Sequence, residues 1–162
     1  MRRAALGSIL FFLIAPGVTA GLVPWLVTGW DGSPDGWDVL DVLAGVIGLL
    51  GLAMVVACFV RFVREGHGTP APTAPTDELV VGGLYRHLRN PMYVGVALVI
   101  AGQCLAFRSL PLVGWLAVFV MAVTAFVVAY EQPALHRQYG TSYDEYRRRV
   151  PAVVPRLRQR TR

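Results

Sequence analysis

The sequence predicts an all-α integral membrane protein: four transmembrane helices with both termini in the cytoplasm, followed by an amphipathic helix lying on the membrane surface. Three observations carry this expectation. Hydrophobic residues make up 55% of the 162-residue chain and charged residues only 15%, with a mean hydropathy of +0.53, whereas soluble domains carry about 25% charged residues. Four apolar runs approach the roughly 20 residues that cross a bilayer as a helix. Every Lys or Arg position is Arg, and these arginines fall almost entirely on one side of the runs. The same composition excludes a soluble globule and a disordered chain, and the length allows one domain over residues 1–162.

The first run, about 4–27, carries no charge, and Pro16 and Pro24 are expected to bend it. Its beginning, Met1-Arg2-Arg3 followed by apolar residues and Val18-Thr19-Ala20, has the form of a signal peptide with its cleavage site. The apolar character continues through Leu22, Val23, Trp25, Leu26 and Val27. That is longer than the about 7–15 residues of a signal-peptide core, so an uncleaved helix is expected. The second run, 39–60, is interrupted only by Asp41. The third, 92–107, is short and needs residues from its flanks, and the fourth is 111–130.

Arginine sets the orientation. Arg2 and Arg3 precede the first run, and Arg61, Arg64, Arg86 and Arg89 separate the second from the third. Arg137, Arg147, Arg148, Arg149, Arg156, Arg158, Arg160 and Arg162 follow the fourth, and Arg108 alone lies on the opposite side. Segments 61–91 and 131–155 are therefore expected at the cytoplasmic face of the inner membrane. A net charge of +5 and a pI near 9.8, placed beside apolar runs, point to anionic membrane lipids rather than to nucleic acid. Cys58 and Cys104 lie inside apolar runs, where free Cys packs as a small hydrophobe. The proline-rich stretch 67–76 favours a stiff extended arm. Residues 132–150 read as a surface helix, with Leu135, Tyr139, Tyr143 and Tyr146 at helical spacing.

The chain has no Gly-rich phosphate loop, no His/Cys spacing for a metal, and no serine beside His67, His87 or His136 that would make a nucleophile and base. Topology instead gathers polar groups at one membrane face. Tyr85, Arg86, Arg89, Asn90, Pro91 and Tyr93 stand at the start of the third helix, Tyr130-Glu131-Gln132 at the end of the fourth, and Tyr143, Tyr146 and Arg149 in the tail. Such a set suits a zwitterionic ligand with a cationic centre. Arg pairs a carboxylate, Glu pairs an ammonium, and an aromatic face attracts a sulfonium. Interfacial Arg, Tyr and Glu also serve as plain anchors. A non-enzymatic four-helix transport or scaffold subunit with a lipid-anchoring tail is the competing reading. A transporter would carry paired ionisable groups deep in its helices, and none stands out here.

The strings GLYRHLRNPMYVG (83–95) and EQPALHRQYGTSYDEYRRRVP (131–151) together resemble the integral-membrane methyltransferases of the isoprenylcysteine carboxyl methyltransferase and phospholipid N-methyltransferase superfamily. The resemblance covers roughly residues 66–155 and implies S-adenosylmethionine bound at the cytoplasmic end of the helices, with a lipophilic acceptor entering from the bilayer. Tyr85 and Arg86 match the Tyr-Arg that opens the first motif. Arg89, Pro91 and Tyr93 match its Arg-His-Pro-x-Tyr core, with Asn90 replacing His as in the phospholipid branch, and Gly95 matches the following Gly. Gly102-Gln103 resembles a Gly-x-Gln stretch of the carboxyl methyltransferases. Glu131 matches the first acid of a Glu-Glu pair, and Gln132 departs at the second. Tyr139-Gly140, Tyr143, Tyr146 and Arg149-Val150-Pro151 match the C-terminal pattern.

The resemblance thus implies cofactor contacts from Tyr85, Arg86, Arg89, Asn90, Pro91, Tyr93, Gly95, Gln103 and Glu131. Arg86 and Arg89 would take the cofactor carboxylate, Glu131 its ammonium or ribose, and Tyr93 the region of the sulfonium. Tyr146 and Arg149 would position the acceptor, an isoprenylcysteine-type carboxylate or a phospholipid amine, with a thiol also open. Three of these residues have structural readings as well. Pro91 suits a helix start, Gly95 a close helix crossing, and Gln103 a hydrogen bond across helices.

Overall fold

The computed structural model describes residues 16–31, 38–65 and 79–153. The beginning of the first expected helix, the proline-rich arm 67–76 and the arginines from Arg156 to Arg162 lie outside the described residues. All regular structure within them is helical. A π-helical segment, Val18–Leu22, leads into α1, Val23–Thr28. Then come α2, Val39–Glu65, and a short 3-10 turn, Gly83–Arg86. The helix α3, Pro91–Ala106, is followed by α4, Leu110–Phe126, a second π-helical segment, Val127–Glu131, and α5, Gln132–Tyr139. The last helix is α6, Thr141–Arg149.

Two stretches are long and apolar enough to cross a membrane, Val39–Arg61 and the continuous helix Leu110–Tyr139, while Val18–Thr28 and Pro91–Ala106 are shorter apolar helices. The outward sides of α2 and α4 remain apolar: Leu49 is 68% exposed and Met121 63%. A bilayer suits such surfaces and water does not. The single surface helix expected over 132–150 is instead two helices. Gly140 separates them at φ 53, ψ −127, a backbone conformation only glycine adopts without strain.

The start of α2 is built by two acids. Asp38 Oδ1 accepts from the N–H groups of Leu40 (2.8 Å) and Asp41 (3.1 Å), and Asp41 Oδ2 accepts from the N–H of Asp38 (3.0 Å). This is a reciprocal capping box with Asp in place of Glu. Arg108, between α3 and α4, pairs with Asp38 and lies 3.6 Å from Asp41. The acid that interrupts the second apolar run is thereby neutralised at the helix end.

The helices α2 and α3 form the most extensive pair, and glycines make the approach possible. A Cβ built on Gly51 would lie 2.6 Å from the Gly95 carbonyl oxygen, and one on Gly95 would lie 2.9 Å from that of Gly51. One on Gly102 would lie 2.8 Å from the Ala44 carbonyl oxygen. Small residues at a crossing let membrane helices meet backbone to backbone. Beside this seam Val55, Val96, Ile100 and Phe119 form the central core.

The two π-helical segments share a sequence cause. Each ends two residues before a proline: Val18–Leu22 before Pro24, and Val127–Glu131 before Pro133. Proline offers no N–H, so a carbonyl four or five residues earlier loses its backbone donor. For Pro24 these are Ala20 and Thr19. Side chains of neighbouring helices reach both: Gln103 Nε2 donates to Ala20 O at 2.7 Å, and Trp115 Nε1 donates to Thr19 O at 2.9 Å. These two bonds tie the segment before Pro24 to α3 and α4. Gln103→Leu and Trp115→Phe should each destabilise the protein by about 0.6–1.7 kcal/mol, the range of hydrogen bonds between membrane helices. Thermal unfolding in detergent measures this, and an unchanged melting temperature in both variants would remove the two bonds from the account.

Candidate functional site

One end of the bundle is assembled from a turn, two helix ends and the tail. The turn begins at Gly82-Gly83. Gly83 has φ +56, and a Cβ there would lie 2.8 Å from Nε of Arg61. Glycine therefore both turns the chain and leaves room for the Arg61 side chain at the end of α2. The turn buries Tyr85 in a cluster with Cys58, Val80 and Met92, and the Tyr85 hydroxyl is hydrogen-bonded to the Cys58 thiol. Both cysteines are free.

Two bonds hold the tail over this turn. Tyr146 Oη donates to the Tyr85 carbonyl at 2.8 Å, and the Arg89 backbone N–H donates to the Pro151 carbonyl at 2.9 Å. Tyr143 and Val150 are buried beneath them. Burial raises the pKa of the Tyr85 and Tyr146 phenols above the ordinary tyrosine range. Both stay protonated at physiological pH, and Tyr146 keeps its donor.

Pro91 is buried at the first position of α3, where its fixed φ is compatible with a helix start and its missing N–H costs nothing. Asn90 precedes it in a non-helical conformation (φ −123, ψ 52), its side chain making no cap bond. Half a turn on, Tyr93 Oη donates to Glu131 Oε2 at 3.0 Å. Glu131 reaches that position at the end of the second π-helical segment, where the Gln132 N–H bonds back to the Val127 carbonyl. Single π turns inside α-helices are frequent at functional sites because they rotate one side chain out of the regular phase.

Arg89 completes the group. Its charge acts on Glu131 and on Tyr146, and its Nε is buried with no hydrogen-bond partner. A buried guanidinium N–H without an acceptor is costly. A carboxylate brought to it would relieve that cost with a charge-assisted bond. The cluster of Arg89, Glu131, Tyr93, Tyr85 and Tyr146 is thus short of one acceptor.

Among the other expected site residues, Gly95, Gln103 and Arg149 contact groups outside this cluster. Gly95 faces α2, with Val55 Cγ2 2.8 Å from its would-be Cβ. Gln103 sits near the opposite end of α3, its amide bonded to Ala20 and Val99. Arg86 is exposed at the end of the turn. Arg149 has a side chain 78% exposed and pairs with Glu145 at 3.5 Å. On α6 the buried positions Tyr143 and Val150, with half-buried Tyr146 between them, follow helical spacing; Arg149 falls off that face. Sequence reasoning missed Cys58, Arg61 and the carbonyl of Pro151 as supports of the site. Only the Gly82-Gly83 pair carried a signal, that of a turn.

An acid, a guanidinium and phenols are thus gathered at one end of an apolar helical bundle. A family model described as phospholipid methyltransferase matches residues 42–142, and the chain belongs to that family, within the superfamily of membrane methyltransferases. It is also 30% identical over 149 residues to methanethiol S-methyltransferase 2 of Bradyrhizobium diazoefficiens, a match covering 89% of this chain and 51% of that protein. The chain spans about half the length of this curated relative.

Proposed function

We propose that the protein transfers the methyl group of S-adenosylmethionine to a lipophilic acceptor, working as a single four-pass domain at the cytoplasmic face of the inner membrane with both termini inside. The observation that carries this reading is the unpartnered buried Nε of Arg89 beside the Tyr93–Glu131 pair. The residues fit the cofactor: one donor lacks an anion, and one half-buried carboxylate has a phenol as its hydrogen-bond donor. When bound, S-adenosylmethionine supplies an electrophilic methyl group, which an acceptor lone pair takes while the electrons of the breaking C–S bond remain on sulfur.

Arg89 binds the cofactor carboxylate, and Glu131 binds its ammonium or a ribose hydroxyl. Tyr93 fixes the Glu131 carboxylate through its hydroxyl and offers its ring to the cationic region. Asn90 and Pro91 set the direction in which α3 leaves this point. Tyr85 and Tyr146 tie the tail down over the turn and exclude water, so Tyr146 acts as a positioning residue. Because a sulfonium is a good leaving group, orientation and dryness are the main contributions asked of the protein.

The relative's name supports a thiol acceptor, and the family description supports a phospholipid amine. Either reacts as its deprotonated form, thiolate or free amine, its proton having passed to the bulk buffer before the acceptor enters. Calorimetry of the purified protein in detergent should show binding of S-adenosylmethionine or its demethylated product with a dissociation constant of ~10⁻⁶–10⁻⁴ M. Absence of heat and of any thermal shift at millimolar ligand would overturn the enzyme reading.

A further inference from the structure

The arginines of the two membrane faces are treated differently. On one face Arg108 is paired with Asp38 and Asp41. At the other, Arg137, Arg147 and Arg148 are exposed and have no ion-pair or hydrogen-bond partner among the described residues. The nearby acids are already engaged: Asp144 with His136 at 3.1 Å and Glu145 with Arg149 at 3.5 Å. These three cations therefore form an uncompensated surface on the α5–α6 hairpin. The inner side of α6 is occupied, since Tyr143 and Val150 are buried and Tyr146 is bonded to Tyr85. Arg147 and Arg148 are both exposed, Arg148 opposite this buried side and Arg147 at its flank.

We propose that this outer face of the α5–α6 hairpin binds the headgroups of anionic phospholipids in the cytoplasmic leaflet. The occupant follows from charge and place. The first arm, α5, is the end of the continuous apolar helix Leu110–Tyr139, and α6 follows after Gly140, so their cations stand at headgroup level when that helix spans the bilayer. Unpaired guanidiniums there attract phosphate-bearing anionic lipid by about fivefold in affinity per arginine. The inference rests on the proposed membrane orientation and is independent of methyl transfer.

The test uses the full chain in detergent micelles doped equally with phosphatidylglycerol and phosphatidylcholine, with bound lipid read by native mass spectrometry. The parent should retain phosphatidylglycerol preferentially. R147Q/R148Q should lower that preference roughly 25-fold, and R147K/R148K should keep most of it, with melting temperatures unchanged in both. Salt near 1 M, where screening acts within about 3 Å, should abolish the preference, and millimolar inorganic phosphate should not. Equal retention of the two lipids by the parent, an unchanged preference in R147Q/R148Q, or displacement by inorganic phosphate alone would each overturn the proposal. Because no cofactor is present, these outcomes are separate from failure of the methyl-transfer reading.

Discussion

Glu131→Gln is expected to weaken S-adenosylmethionine binding by roughly 10- to 150-fold, the equivalent of about 1.5–3 kcal/mol for a hydrogen bond to a charged group. The substitution is nearly isosteric, and the amide oxygen can still accept from Tyr93, which now donates to Glu131 Oε2 at 3.0 Å. What is lost is the negative charge. The neighbouring residue is Gln132, so no adjacent acid can replace it. Arg89 remains, and without Glu131 its charge is less compensated, which favours an incoming carboxylate slightly but not an ammonium. Binding measured by calorimetry, together with thermal unfolding, separates the effects. The expected result is a large loss of affinity at nearly constant melting temperature. Parent-like affinity would move the site away from Glu131 even if the protein transfers methyl groups.

Gly51→Ala should destabilise the protein by about 1–3 kcal/mol, the usual cost of overpacking, whereas Gly45→Ala should leave it unchanged or stabilise it by up to about 1 kcal/mol. Both lie in α2 and both gain the same methyl group. At Gly51 that methyl would meet the Gly95 carbonyl oxygen at 2.6 Å, Leu98 Cβ at 2.8 Å and Val99 N at 2.8 Å, two of them backbone atoms that cannot rotate away. At Gly45 nothing lies within 4 Å, and the helix-propensity gain of Ala over Gly is unopposed. The sign of the difference therefore tests the packing directly. The Gly51 variant should also bind S-adenosylmethionine more weakly, because α3 carries Tyr93 and its Pro91 start holds the segment with Arg89. Equal melting temperatures for the two variants would mean that α2 and α3 do not pack through this seam.

Much of the fold was legible from composition and periodicity. Runs 39–60 and 92–107 appear as helices Val39–Glu65 and Pro91–Ala106, because an almost wholly apolar stretch of that length has few alternatives to satisfying its own backbone as helix. The surface helix was legible in type but not in continuity. Its apolar residues keep helical spacing across Gly140, and spacing does not report the φ of the residue between.

At the site, the residues of the first motif carried real information about place. Tyr93 and Glu131, 38 residues apart, meet, as the antiparallel run of α3 and α4 implies, and Arg89 stands four residues before Tyr93. What they do to one another was not legible. Gly95 and Gln103 share the helix of Tyr93 and looked like further site residues, but one faces α2 and the other bonds to the first helix.

By itself the sequence determined that the chain is apolar and helical, that every arginine but Arg108 precedes the first apolar run, follows the fourth or lies between the second and third, and that a guanidinium, an acid and several phenols share one end. Those properties follow from composition and linear order, which survive any rotation of a helix about its axis. The tertiary structure alone decided which of these side chains meet and which turn elsewhere. Rotation about the axis brings Tyr146 to the Tyr85 carbonyl and leaves Arg149 exposed beside Glu145. A proline two residues beyond a π turn releases carbonyls that Gln103 and Trp115 take up, and the same kind of turn carries Glu131 to Tyr93. Each outcome depends on the phase of one helix against its neighbour, and that phase is set by contacts between residues far apart in the chain.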